Sequence, residues 1–229
     1  MLLLFDIDGT LLLGAHAEHR DSLHAALHEV HGIPDPAAAH IQAPGRTDGE
    51  IARAIALQSG VSAERIDERA DAVRDVTCRE YARRCPPDLS GRVAPGMPDV
   101  LAGLAARDGV RLSLVTGNFE PIARLKLERA GLGDFFAPGQ GGFGSDHEDR
   151  AALPAIARRR AGSDGRAYPR DRTLVVGDTP NDVACARADG VRCLAIATGP
   201  FRPADLQAAG ADGVAGDARG LDELLAPLL

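Results

Sequence analysis

Asp6 and Asp8 close the apolar run Leu2-Leu3-Leu4-Phe5, and Gly9-Thr10 follows them at once. An apolar run of this length bounded by a turn reads as a short buried strand. Side chains alternate along a strand, so residues i and i+2 fall on one side. Two carboxylates held close repel each other unless a cation lies between them or one is protonated. That pairing suits a hard divalent metal, with one acid free to attack or to carry a proton. The carboxyl end of a parallel strand is also where open α/β sheets bind ligands. A solvated Asx turn would use the same residue types. A second acidic turn, Gly177-Asp178-Thr179-Pro180-Asn181-Asp182, follows a second apolar run, Thr173-Leu174-Val175-Val176. Between the two, Leu112-Ser113-Leu114-Val115-Thr116-Gly117-Asn118 ends a third such run on a hydroxyl.

An Asp-x-Asp-Gly-Thr start, a strand ending in Thr midway and a late Gly-Asp-x-x-x-Asp resemble the haloacid dehalogenase-like superfamily, in order and in approximate spacing. The resemblance covers essentially the whole chain. It implies an α/β fold, a Rossmann-like parallel sheet core with an inserted all-helical cap domain, and an Mg2+ cofactor. It also implies hydrolysis of a small phosphate ester through an aspartyl-phosphate. In that scheme Asp6 is the nucleophile and a metal ligand. Asp8 protonates the leaving oxygen, then activates water, and lends its backbone carbonyl to the metal. Phosphate monoesters hydrolyse extremely slowly unaided, so a positioned nucleophile and charge neutralisation are what the enzyme must supply.

Other positions carry expectations of their own. Asp178 ends a strand and stands as the third acidic metal ligand, since Mg2+ takes six oxygens and keeps several waters. Thr116 with Gly117 and Asn118 forms a hydroxyl and free N–H groups at a helix start, an anion site. Asn118 contacts either the phosphoryl group or Asp8. Thr10 holds Asp8 or is a plain turn hydroxyl. Asp182 orients a metal water or a basic residue, or is simply an acid in a helix's first turn. The family also needs a cation on the phosphoryl oxygens. Lys126 is the one lysine among 26 basic residues, which singles it out, because lysine and arginine are not interchangeable where a compact ammonium is required. Arg150 is the rival, standing near the place where much of the family keeps its basic residue. Arg46 and Thr47, in Pro44-Gly45-Arg46-Thr47-Asp48, resemble a cap loop that reaches substrate. The alternative there is an N-capping Thr47 or Asp48 beside a solvated Arg46. His24, His28 and His31 share a helical face, but no acid or Cys completes a metal set, so a solvated or interfacial face is expected.

The elements that must hold these residues fall into two regimes. Between Leu13 and Arg92 no strand-like run occurs, and helical spacing dominates over Ser22–His31, Glu50–Gln58 and Arg65–Arg83. From Arg92 onward short β-like runs alternate with helical stretches, the pattern of a parallel sheet covered on both faces. The division this predicts is a core of residues 1–13 plus 92–229, with a helical cap over 14–91. A chain of 229 residues that is 45% hydrophobic can bury a full core. A net charge of −7 with the signs interspersed suggests no nucleic-acid footprint. No run reaches membrane-span length and no basic leader precedes the first strand. Four cysteines without a CxxC pair fit free thiols in a reducing cytoplasm. The expected partner is a small phosphate ester, with sugar phosphates and phosphoglycolate-like acids as leading classes, and the chain acts as a monomer or homodimer. Within the resemblance, Asp8 argues against a dehalogenase, and the lack of a cap lysine argues against a phosphonatase. A phosphomutase or a catalytically silent phosphometabolite-binding module remain as alternatives.

Overall fold

The computed structural model describes residues 1–229 and is built on six parallel strands. They are β1 (Leu2–Phe5), β2 (Arg111–Thr116), β3 (Gly142–Phe143), β4 (Thr173–Gly177), β5 (Arg192–Ile196) and β6 (Gly213–Ala215). Their order in the sheet is β3-β2-β1-β4-β5-β6. The chain moves outward on one side of β1, then crosses to β4 on the other. The carboxyl ends of β1 and β4 therefore flank the point where strand order reverses, the place such sheets bind ligands.

Alternation along β1 builds both layers. Leu3 and Phe5 enter a cluster with Met97, Leu101, Ile122 and Leu127. Leu2 and Leu4 face the other way, against Leu153, Ala157 and Val183. The first layer holds α4 (Met97–Ala105), α5 (Glu120–Arg129) and α9 (Ala218–Leu225), and the second α6 (Leu153–Ala161) and α7 (Pro180–Ala188). All four residues of β1 are fully buried, which is why the strand reads as a continuous apolar run.

Residues between β1 and α4 form three helices, α1 (Ala17–His31), α2 (Asp48–Gln58) and α3 (Ala63–Arg84). They carry a separate apolar cluster around Leu27, Ile55 and Val73. The two passages joining this insert to the sheet run side by side, with Leu13 N donating to Arg92 O at 2.7 Å and Ala94 N to Leu11 O at 2.9 Å. Leu27 is completely buried, so Leu27→Ala should cost about 2–5 kcal/mol. A urea melt of the variant against wild type measures this. No helix is long and apolar enough to cross a membrane.

Two strands and one helix were not expected from the sequence: β3, β6 and α8 (Pro203–Ala209). β3 is two residues long and shows no periodicity to read. It exists because Val115 and Thr116 offer it a paired edge.

Candidate active site

Asp6 leaves the end of β1 with its N–H still bonded to Val176 O at 2.9 Å, so the sheet ladder fixes it. Asp178 follows β4 one residue past Gly177. Two glycines make room for it. A Cβ on Gly9, where φ is +89°, would lie 2.2 Å from Asp178 Oδ2, and one on Gly199 would lie 1.7 Å away. Asp6 and Asp178 are 4% and 1% exposed. With Asp182 they form the one group of acids, histidines or cysteines close enough to share an ion.

The electrostatics separate these acids. Burial pushes the Asp6 carboxyl up to about 7, with Arg150 opposing and the Asp182 and Asp8 charges adding. Burial pushes Asp178 up to about 9, reinforced by Asp182 and Asp6. Both oxygens of Asp182 are already committed. Oδ2 accepts from Thr179 N at 3.0 Å and from Thr179 Oγ1 at 2.7 Å, while Oδ1 accepts from Arg150 Nη2. Asp182 thus caps α7 reciprocally with Thr179 and anchors a guanidinium. Arg150 Nη2 also lies 3.3 Å from Asp6 Oδ2. The buried Nε donor of Arg150 has no partner within the protein.

Asp8 lies in a different environment. Lys126 Nζ donates to its two oxygens at 2.8 and 2.6 Å. Asn118 Nδ2 donates to Asp8 Oδ2 at 2.8 Å and to Thr116 Oγ1 at 2.8 Å. Burial, the largest single influence, would raise the Asp8 pKa, but neighbouring groups, the Lys126 ammonium first among them, together outweigh it and hold the carboxyl below the ordinary range. Because Thr116 Oγ1 accepts from Asn118, its own O–H is left to donate elsewhere.

Several sequence expectations change here. Thr10 Oγ1 donates to Asp178 Oδ1 at 3.1 Å, so it steadies Asp178 and not Asp8. Lys126 is fully buried behind Asp8 and is not among the residues that line the cavity over Asp6. The cation beside Asp6 is Arg150. Of the two contacts open to Asn118, the structure shows the one to Asp8. Thr47 is buried as the N-cap of α2, accepting from Glu50 N and donating to Glu148 O. Its one O–H donor is therefore spent inside the protein and is not available to a phosphate oxygen. Arg46 lines the cavity with its side chain 34% exposed and its Nε 3.3 Å from Glu50 Oε1. His24, His28 and His31 belong to no candidate metal group.

The cavity above these residues is about 950 Å³ and is walled by the sheet ends on one side and by the insert on the other. The insert approaches closely. A Cβ on Gly117 would sit 2.1 Å from Arg46 O, and Asn181 Nδ2 donates to Pro44 O at 3.0 Å. Sequence reasoning missed two buried polar residues of the insert, His19 and Asp48, as members of the site. His19 falls on the buried stripe of α1 with Ser22, Leu23, Ala26 and Leu27. A polar side chain on an apolar face was the available signal.

Comparison with known proteins agrees with this geometry. A family model described as haloacid dehalogenase-like hydrolase matches residues 3–187. A phosphoglycolate phosphatase of Rhodospirillum rubrum is 34% identical over 203 residues, spanning 87% of this chain and 80% of its own. A putative beta-phosphoglucomutase from Bacteroides vulgatus superposes with a TM-score of 0.68 at 22% identity, covering 99% of this chain and 88% of that one. A hydrolase from Pseudomonas syringae gives 0.70 at 21%, covering both chains completely. At such identities the structures speak for the fold alone. The chain belongs to the haloacid dehalogenase-like hydrolase family. Within that family it is an enzyme, a phosphohydrolase.

Proposed function

We propose that this chain is an Mg2+-dependent phosphatase of small-metabolite phosphate monoesters, working through a phosphorylated Asp6. The observation that carries the reading is the pair of buried carboxylates, Asp6 and Asp178, brought together at the sheet ends and raised to about 7 and about 9 by burial and by the charges of neighbouring acids. Such a pair is stable in ionised form only with a cation between its members. An oxygen-only donor set suits Mg2+. The Asp6 and Asp178 carboxylates and the Asp8 backbone carbonyl would hold it, with Asp182 excluded because its oxygens serve Arg150 and Thr179. An ion bound there would supply charge neutralisation for the transferring phosphoryl group.

The chain's own residues then divide the work. A carboxylate oxygen of Asp6 attacks phosphorus and the bond to the ester oxygen breaks, while Asp8, which first takes up a proton from the incoming phosphate monoanion, delivers that proton to the leaving oxygen. Water next attacks the phosphorus bound to Asp6. Asp8 takes the water's proton as the Asp6–phosphorus bond breaks and phosphate leaves. The Lys126 ammonium favours the ionised Asp8 that this second half requires. Arg150, beside Asp6, and the Thr116 hydroxyl bind the non-bridging oxygens.

Helices α1 to α3 act as the cap that covers the site. Sugar phosphates and phosphoglycolate-like acids remain the leading substrates, the second supported by the name of the Rhodospirillum relative. Four unpaired cysteines suit a reducing cytoplasm. A panel of metabolite phosphates assayed for phosphate release with Mg2+ tests the reading. Activity that survives exhaustive chelation, or no release from any ester, overturns it.

Stability supplies a second check. A carboxyl whose pKa is raised by folding contributes stability below its unfolded value and loses it as pH rises through the folded value. Asp6 and Asp178 rise from 3.8 to about 7 and about 9, so the metal-free protein should lose stability between pH 5 and pH 9. Saturating Mg2+ should restore it, because the ion binds the ionised folded site. The Tm difference between Mg2+ and chelator should therefore widen with pH, reaching at least about 5 °C at pH 8.5. A difference that is flat or narrows with pH contradicts the metal assignment.

A further inference from the structure

Every N–H of the lone lysine is spent inside the protein. Besides Asp8, Lys126 Nζ donates to Asn118 Oδ1 at 2.8 Å and lies 3.2 Å from His19 Nδ1. The other ring nitrogen, His19 Nε2, lies 3.0 Å from Asp48 Oδ2. An ionised carboxylate only accepts, so Nε2 carries the ring proton and Nδ1 is left as the acceptor for the lysine. Asp48 Oδ2 accepts a second bond from Phe119 N at 2.7 Å, and Asp48 N donates to Gly117 O at 2.8 Å. The imidazole packs edge-on against Tyr81 at 5.5 Å between centroids. His19, Asp48, Lys126 and Asn118 are all buried.

These links join two bodies of the fold. Asp8, Lys126 and Asn118 belong to the sheet core, whereas His19 and Asp48 stand on α1 and α2 of the insert. Lysine ends in a compact charge on a flexible four-carbon stem, and it keeps one orientation only where several acceptors fix it. Asn118 and Asp8 fix two sides of the ammonium. The third is fixed by the insert.

We propose that His19 and Asp48 are positioning residues. They seat the Lys126 ammonium so that Asp8 keeps the orientation needed to pass a proton to the leaving oxygen, and they do so while α1 and α2 lie against the sheet core. The inference rests on the reading above in which Asp8 moves that proton.

Leaving-group dependence tests it. The value of kcat/KM is compared for the best alkyl phosphate of the metabolite panel, whose alkoxide needs a proton, and for p-nitrophenyl phosphate, whose phenolate leaves without one. His19→Phe keeps a ring against Tyr81 but removes both polar links. It should lower kcat/KM for the alkyl ester at least about 30-fold, a typical share of general acid catalysis, and for the aryl ester less than about threefold. His19→Ala and Asp48→Ala should follow the same split. His19→Gln, which offers one acceptor and one donor, should recover the alkyl rate to within about fivefold of wild type. Equal losses on both esters, the mark of a merely structural role, or no loss on either, overturn the proposal.

A second readout needs no turnover. Lys126 is the chain's one side-chain amine, so acetic anhydride followed by peptide mass spectrometry reports on it alone, with the α-amino group as internal standard. Wild-type Lys126 should be protected, and His19→Phe should raise its acylation at least about tenfold, because a buried donor without its acceptor favours opening. Equal protection in both proteins overturns the proposal. If wild type releases phosphate from no ester, the functional reading fails and the proton-transfer role with it, while Lys126 protection still reports whether the insert braces the ammonium.

Discussion

Asp6→Asn should leave no measurable release of phosphate from any monoester, a loss of at least about 10⁴ in kcat. The amide keeps the shape of the side chain but cannot form the bond to phosphorus, and nothing else in the site can replace it. Asp8 is held by Lys126 and Asn118, Asp178 by Thr10, and Asp182 by Arg150 and Thr179. The fold should survive, because the ladder bond from residue 6 to Val176 is a backbone bond. Metal-free Tm at pH 8.5 should stay level or rise, since a desolvated carboxyl pushed up to about 7 has been replaced by a neutral group. A variant that folds and still turns over an ester at more than a few parts in 10⁴ of the wild-type rate places the nucleophile elsewhere.

The sheet core was legible because burial on both faces writes itself into sequence as unbroken apolar runs. Leu2–Phe5 and Thr173–Val176 announced β1 and β4, and the acids after them announced the switch point. The same logic failed for β3, where two residues pair by virtue of a neighbouring edge and carry no pattern. It also failed for α8, seven residues opened by Pro203. Within the site, motifs gave residue types but not partners. Thr10 was read with Asp8, its near neighbour in sequence, yet its hydroxyl reaches Asp178, 168 residues away. Lys126 stood out by its uniqueness, and the expectation that it faces the phosphoryl group came from the family's need for a cation. Only tertiary packing shows it sealed behind Asp8, with Arg150 beside Asp6 instead. His19 was passed over because no motif contains it. Its meaning depends on α1 bringing the imidazole to Lys126 of α5, a contact that local sequence does not encode.

Arg150 should therefore show the larger cationic effect at the phosphoryl step. The transition state spreads charge over three equatorial oxygens, and removal of one preorganised donor at such a site costs about 10²–10³ in rate. Arg150→Ala should lower kcat/KM by at least that much. It also strands Asp182, a fully buried carboxylate, and breaking a buried pair in this way costs about 3–5 kcal/mol of stability. The single variant thus mixes two effects, and two further variants separate them. Arg150→Lys keeps the charge opposite Asp182 and should fold with near-native Tm. Its rate should still fall about 10–100-fold, because a point charge cannot serve both Asp182 and a phosphoryl oxygen as a fork does. Arg150→Met with Asp182→Asn removes both charges together and should restore stability without restoring turnover. If that double variant regains turnover to within about threefold of wild type, the guanidinium is a strut for α7 and not a ligand for phosphate. If it folds and remains slow, the Arg150 guanidinium beside Asp6 is the cation that the transferring group meets.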